Sequence, residues 1–201
     1  MSLLEVNHLT VTRGENIALV DNVSLRLEAG EMLGLVGESG SGKTVTCRAL
    51  MRLLPGAGLR ISGGEVLLDG RDILSLSERQ LSAVRGREIG MIFQNPTSHL
   101  NPVMTIGEQI AESRRLHFAA NRRQAREDAL ALLRQVGIPD PQNRLNSYPH
   151  EFSGGMRQRA MIAVALAPEP RLLIADEPTT ALDVTVQMQV LRLLSDLRAE
   201  L

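Results

Sequence analysis

The stretch Met32-Leu33-Gly34-Leu35-Val36-Gly37-Glu38-Ser39-Gly40-Ser41-Gly42-Lys43-Thr44 decides how the rest of the chain is read. It joins a continuous apolar run to a glycine loop, and a helical pattern follows from Val45 to Leu54. A buried strand, a loop and a helix are expected in that order. Gly37, four residues, then Gly42-Lys43-Thr44 is the spacing of a phosphate-binding P-loop. Glycines let backbone amides converge on phosphate oxygens without Cβ clashes, and the helix N-terminus adds its positive end. In such a loop Lys43 reaches the β and γ oxygens, and the Thr44 hydroxyl ligates Mg²⁺.

Around this stretch the 201 residues are 43% hydrophobic and 22% charged, the composition of a globular protein with one core. A formal charge of -1 provides no bulk attraction to nucleic acid or anionic lipid. Aromatics make up 2%, too few for a base-stacking platform, and the single cysteine, Cys47, reads as a packed thiol. The longest apolar run, near Met161 to Ala167, falls short of the roughly 18 residues a membrane span needs, and no export signal opens the chain. A cytoplasmic address is expected.

Val6 to Thr12, Val23 to Leu27 and Gly63 to Gly70 read as strands bounded by turns, and Ile89 to Phe93 as a second buried strand. From about 102 to 167 the pattern is helical, with Ile106, Ile110, Leu130, Leu133 and Val136 at helix-compatible spacings. The arginine-rich stretch from Arg114 to Arg126, interleaved with Glu112, Glu127 and Asp128, reads as a solvated helix face. Arg171 to Glu177 is a third buried strand, and Val184 to Leu201 an amphipathic helix. The core is expected around the Leu33, Ile92 and Leu173 strands.

Asp176 ends its apolar strand, where a carboxylate can hold the water shell of Mg²⁺, and Glu177 beside it can polarise an attacking water. In phosphoryl transfer such positioning and charge stabilisation lower most of the barrier.

A third motif, Phe152-Ser153-Gly154-Gly155-Met156-Arg157-Gln158-Arg159, resembles the signature sequence of ABC-type ATPases. Ser153 would cap its helix and, with the Gly154 and Gly155 amides, offer donors to a γ-phosphate. The resemblance covers essentially the whole chain. Strings such as Phe93-Gln94-Asn95-Pro96, Tyr148-Pro149-His150-Glu151 and Ala181-Leu182-Asp183-Val184-Thr185 look like the ATPase subunits of oligopeptide, dipeptide and nickel importers.

The resemblance implies an α/β fold: a P-loop NTPase (RecA-like) core, an N-terminal antiparallel β subdomain and a helical signature subdomain inserted at about 102–167, all within one domain of 1–201. It implies ATP and Mg²⁺ as ligands. ATP would be held by Gly37, Glu38, Ser39, Gly40, Ser41, Gly42, Lys43 and Thr44, and the metal by Thr44, Gln94 and Asp176. Glu177 and Gln94 would be the catalytic pair, and Ala181, Leu182 and Asp183 the D-loop. Ser153, Gly154 and Gly155 would cover the ATP of a second ATP-binding subunit, a copy or a paralogue. Two transmembrane permeases and, indirectly, an extracytoplasmic solute-binding protein would complete an importer, with this chain peripheral on the cytoplasmic face of the bacterial inner membrane. No nucleic-acid partner is expected.

The sequence departs from the family pattern in three places. Phe152 and Met156 replace the commoner leucine and glutamine of the signature, with the Ser-Gly-Gly donors intact. Met1 to Val36 holds no aromatic to stack on adenine, which would rest on an aliphatic side chain or Arg13. The family's switch histidine has no counterpart, because His8, His99, His117 and His150 lie in the wrong part of the order and read as surface or helix-end residues. The C-terminal strands are therefore expected to be missing, as in a truncated product or a fragment. An ATPase subunit of a peptide or related importer and a nucleotide-binding module without competent hydrolysis are both open at this point.

Overall fold

A computed structural model describes residues 2–14, 17–56, 58–180 and 183–200, with side chains to 197. The chain forms two compact units, one up to Ala83 together with the chain end from Arg198, the other Val84–Leu197.

The first unit is built on four antiparallel strands in the order β2-β1-β3-β4: β1 (Ser2–Arg13), β2 (Ile17–Glu28), β3 (Leu59–Leu68) and β4 (Arg71–Asp72). Leu4 and Val6 of β1 are buried, and so are Leu9 and Val11. The step from residue 6 to residue 9 is odd, so strict alternation would turn the second pair out of the core. A bulge absorbs the extra residue. His8 takes φ +55, and the register shifts against both neighbours between residues 6 and 10. Gly64 of β3 faces this bulge at φ +91, where a Cβ would lie 2.6 Å from the Asn7 and His8 carbonyl oxygens. Only glycine permits that approach.

Helix α1 (Lys43–Ala49) is shorter than the expected Val45 to Leu54. Arg52 turns left-handed at φ +52, while the Leu53 amide donates to the Arg48 carbonyl (2.9 Å) and that of Arg52 to Ala49 (2.9 Å). This paired closure ends the helix. Cys47 is buried on it, as expected.

The expected buried strand at Met32 to Val36 does not form. The segment takes no regular structure, and Leu33 is 45% and Val36 98% exposed. An apolar run favours burial, but a strand exists only where a neighbouring edge pairs its backbone groups, and among the described residues none does. The core of this unit lies instead on the inner face of β1 and β3, among Leu9, Val11, Val66 and Leu68.

Helix α2 (Glu78–Val84) leads to the second unit. There β5 (Ile89–Ile92) and β6 (Leu172–Ala175) pair in parallel, Ile89 with Leu172 and Ile92 with Ala175. Parallel neighbours need a long crossover, and the helices supply it: α3 (Pro96–His99), α4 (Ile106–Phe118), α5 (Arg122–Gln135), α6 (Pro141–Arg144) and α7 (Gly154–Leu166). Helix α8 (Val184–Glu200) follows β6. Ile106 and Ile110 of α4 meet Ala125, Ala129 and Leu133 of α5 in one core, each pair or triple at four-residue spacing. Thr105 and Asn121 cap these helices, accepting from the Glu108 amide at 3.3 Å and the Gln124 amide at 2.9 Å.

The arginine stretch departs from a solvated face most at Arg114. Arg123 is 90% exposed, but Arg114 is only 15% exposed. Arg114 Nε meets Asp128 Oδ2 at 2.8 Å, Nη1 meets Glu169 Oε1 at 2.7 Å, and the guanidinium lies 4.2 Å over the Phe118 ring. Charge interleaving in sequence does not reveal that Asp128 stands on the next helix, facing α4. Among the described residues, no helix is long and apolar enough to cross a membrane.

Candidate functional site

In the first unit the glycine loop is an exposed segment from Gly37 to Ser41 that enters α1. Gly42 is the N-cap at φ +93, and a Cβ there would lie 2.7 Å from the Leu19 carbonyl oxygen. Its own carbonyl accepts from the Thr46 amide at 2.8 Å and the Thr46 hydroxyl at 3.0 Å, which sets the first turn. Lys43 Nζ donates to the carbonyls of Gly37 and Glu38, each at 2.8 Å. The ammonium thus folds back over its own loop. A phosphate oxygen carries formal charge and is a stronger acceptor than these neutral carbonyls. Ser39 and Gly40 lie between, and the Ser41 amide donates to the Glu38 carbonyl at 3.2 Å. Thr44 is the second residue of α1.

In the second unit the parallel register does the positioning. Ile92 pairs with Ala175, so Gln94 and Glu177 are each two residues beyond matched strand ends. Gln94 Nε2 donates to Glu177 Oε2 at 2.8 Å. The carboxyl ends of parallel strands are where α/β sheets place ligands. Asp176, 2% exposed, is anchored by its amide, which donates to the Ile92 carbonyl at 2.9 Å and extends the pairing by one residue. Glu177 takes φ +48, a left-handed conformation strained for a residue with a side chain. Two further bonds close the turn after it. Thr180 donates from its hydroxyl to Glu177 Oε2 at 2.9 Å and from its amide to the Glu177 carbonyl at 3.2 Å. Sequence reading had not singled out Thr180; the signal available was its place three residues after Glu177, the spacing of a turn.

Ser153 caps α7, its hydroxyl oxygen accepting from the Met156 amide at 3.3 Å, as the motif led us to expect. Ser153 and Gly154 are exposed, and a Cβ on Gly154 would meet nothing within 4 Å. Gly155 faces α8, where a Cβ would come to 3.0 Å from Val186 Cγ1. Phe152 is buried beneath the motif, and Arg157 Nε ties the helix to the Pro149 carbonyl at 2.9 Å.

Of the three expected D-loop residues, Ala181 and Leu182 lie outside the described residues. Asp183 Oδ1 accepts from the Val186 amide at 3.0 Å, an N-terminal cap for α8. The four histidines occupy the sites expected of them. His8 sits in the β1 bulge, His99 ends α3 and stacks on Phe93 at 4.1 Å, His117 is in the last turn of α4, and His150 stacks on Tyr148 at 5.7 Å. Among the described residues, no group of three or more His, Cys, Asp or Glu side chains is placed to hold a metal ion. Within the second unit, Gln94 and the buried Asp176 are oxygen-bearing side chains, the donor type that suits a hard cation such as Mg²⁺.

A glycine loop opening a helix, a strand-end carboxylate pair and a capped Ser-Gly-Gly helix start define a P-loop nucleotide-binding class of protein. The ABC transporter family model matches residues 8–180, and the chain belongs to that family. It is 59% identical over 176 residues to the probable peptide ABC transporter ATP-binding protein y4tR of Sinorhizobium fredii, covering 88% of this chain and 52% of the relative. With the oligopeptide transport ATP-binding protein OppD of Bacillus subtilis it shares 50% identity over 202 residues, 99% of this chain and 56% of that one. The chain therefore spans about half the length of the curated relatives it matches. The dimeric post-hydrolysis structure of the ATP-binding cassette MJ0796, bound to ADP and Pi, superposes with a TM-score of 0.85 at 30% identity, covering 98% of this chain and 83% of that one.

Proposed function

We propose that the chain is the ATP-binding and ATP-hydrolysing part of a bacterial ABC importer for peptides or a related small solute such as nickel or glutathione. The observation that carries the reading is the Gln94 amide on Glu177 Oε2, 2.8 Å apart at matched ends of parallel strands. It supports the reading because a carboxylate held in this way, next in sequence to a second carboxylate at Asp176, is suited to accept from water. The peptide assignment rests on the descriptions of the relatives.

In this reading the amides from Gly37 to Thr44, with Lys43, bind the phosphates of ATP, and Lys43 exchanges its loop carbonyls for charged oxygens. Thr44, Gln94 and Asp176 would hold Mg²⁺, which when bound neutralises charge on the phosphates. Glu177 orients and polarises the attacking water, and Gln94 fixes the carboxylate that does so. Ser153 and the Gly154 amide, both exposed, present donors to the nucleotide of a second ATP-binding subunit, so dimer closure and hydrolysis are coupled. Permease subunits would receive the helical block at about 102–167 and the segment after Gln94, on the cytoplasmic face of the inner membrane. The likeness to the MJ0796 cassette, whose structure is a post-hydrolysis state, supports this over a nucleotide-binding module without hydrolysis.

The test is ATP turnover by the subunit assembled with its partners. Glu177→Gln removes the carboxylate charge at nearly constant shape, and turnover is expected to fall by about 10²-fold or more while Mg-ATP binding survives. Wild-type turnover in the variant overturns the reading.

A further inference from the structure

We propose that Thr180 is a positioning residue that holds the Glu177 carboxylate in its working orientation, a role that rests on the reading of Glu177 as the group that polarises water. Thr180 grips Glu177 at both ends, hydroxyl to Oε2 at 2.9 Å and amide to the backbone carbonyl at 3.2 Å. Gln94 reaches the same oxygen from the end of the other strand, at 2.8 Å. The terminal torsion of a glutamate is soft, and one donor leaves the carboxylate plane free to turn. Two donors from different elements on one oxygen fix it, and among the described residues Oε1 accepts from no protein group. The left-handed backbone of Glu177, φ +48, is what brings residue 180 back over the side chain. Threonine suits the task because its branched Cβ restricts χ1 and delivers the hydroxyl in few rotamers.

The test compares Thr180→Val, which keeps the shape and loses the donor, with Thr180→Ser, which keeps the donor, in the assembled transporter. Thr180→Val is expected to lower kcat about tenfold or more, as misplacement of a reacting group does, with KM for ATP within about twofold, and Thr180→Ser to restore most of the loss. A crystal structure of Thr180→Val should show the Glu177 carboxylate rotated away from its Gln94 bond. Unchanged kcat in Thr180→Val, beside a Glu177→Gln control that has lost turnover, overturns the positioning role alone. If Glu177→Gln turns over like the wild type, the underlying reading fails instead. The crystal structure then decides the orientation, and an unmoved Glu177 carboxylate in Thr180→Val refutes it.

Discussion

Replacing Arg114 by Met keeps the aliphatic stem and removes a guanidinium that is 15% exposed and makes two ion pairs. The two arms are unequal. Asp128 is 21% exposed and Glu169 63% exposed, so the first pair is poorly screened and the second is close to a surface pair. A hydrogen bond to a charged, part-buried partner contributes about 1.5 kcal/mol and an exposed pair about 0.5. The Phe118 face adds about 0.5 to 1 kcal/mol, for a total of about 2.5 to 3 kcal/mol. Burial disfavours the charged guanidinium, but hydrogen bonds and charge from Glu169 and Asp128 outweigh it, so its pKa lies above the ordinary value and it stays charged at every working pH. Urea unfolding followed by circular dichroism, run as two double-mutant cycles, separates the arms. The cycle of Arg114→Met with Asp128→Asn should show a coupling of about 1 to 1.5 kcal/mol that persists at high salt, and the cycle with Glu169→Gln about 0.5 or less, fading with salt. Equal couplings, or an Asp128 coupling under about 0.3 kcal/mol, would refute the claim that burial separates these two pairs.

Gly64→Ala forces a side chain into φ +91 and onto the carbonyls of the β1 bulge, for an expected loss of about 2 to 4 kcal/mol. Gly30→Ala, at φ +75 with nothing within 4 Å, should lose only about 1, and equal losses by thermal unfolding would remove the close approach as a cause. His117 titrates below its ordinary 6.5, first through burial and then through the charge of Arg87. Near that pH the native state binds fewer protons than the unfolded one. Its contribution is present above 6.5 and is lost as pH falls through the native value. The thermal midpoint of the wild type should fall more on acidification than that of His117→Gln, and parallel curves would exclude the effect.

Much of the site was legible because its chemistry is local. In the proposed reading the glycines of the loop, Lys43, Ser153 at its cap and the Asp176-Glu177 pair would act through residue type and spacing, which a sequence carries directly. The helices around Ile106, Ile110 and Leu133 were legible for the same reason, since four-residue spacing alone turns those side chains to one face. The arginine stretch was not: Arg123 looks outward and Arg114 inward, and only the packing of α4 against α5 distinguishes them.

Sequence by itself also determined that Met32 to Val36 is apolar, but not that it would pair with anything. A strand is a relation between two backbones, and the described structure leaves that run without one. The same physics works in the other direction at the carboxylates. Gln94 and Glu177 are 83 positions apart, and although the family resemblance pairs them, no spacing or periodicity in either neighbourhood does. The parallel register of Ile92 on Ala175 decides it, because matched strand ends carry the residues beyond them to the same place. Thr180 then closes on Glu177 because one residue turned left-handed, a backbone choice that no side-chain pattern announces.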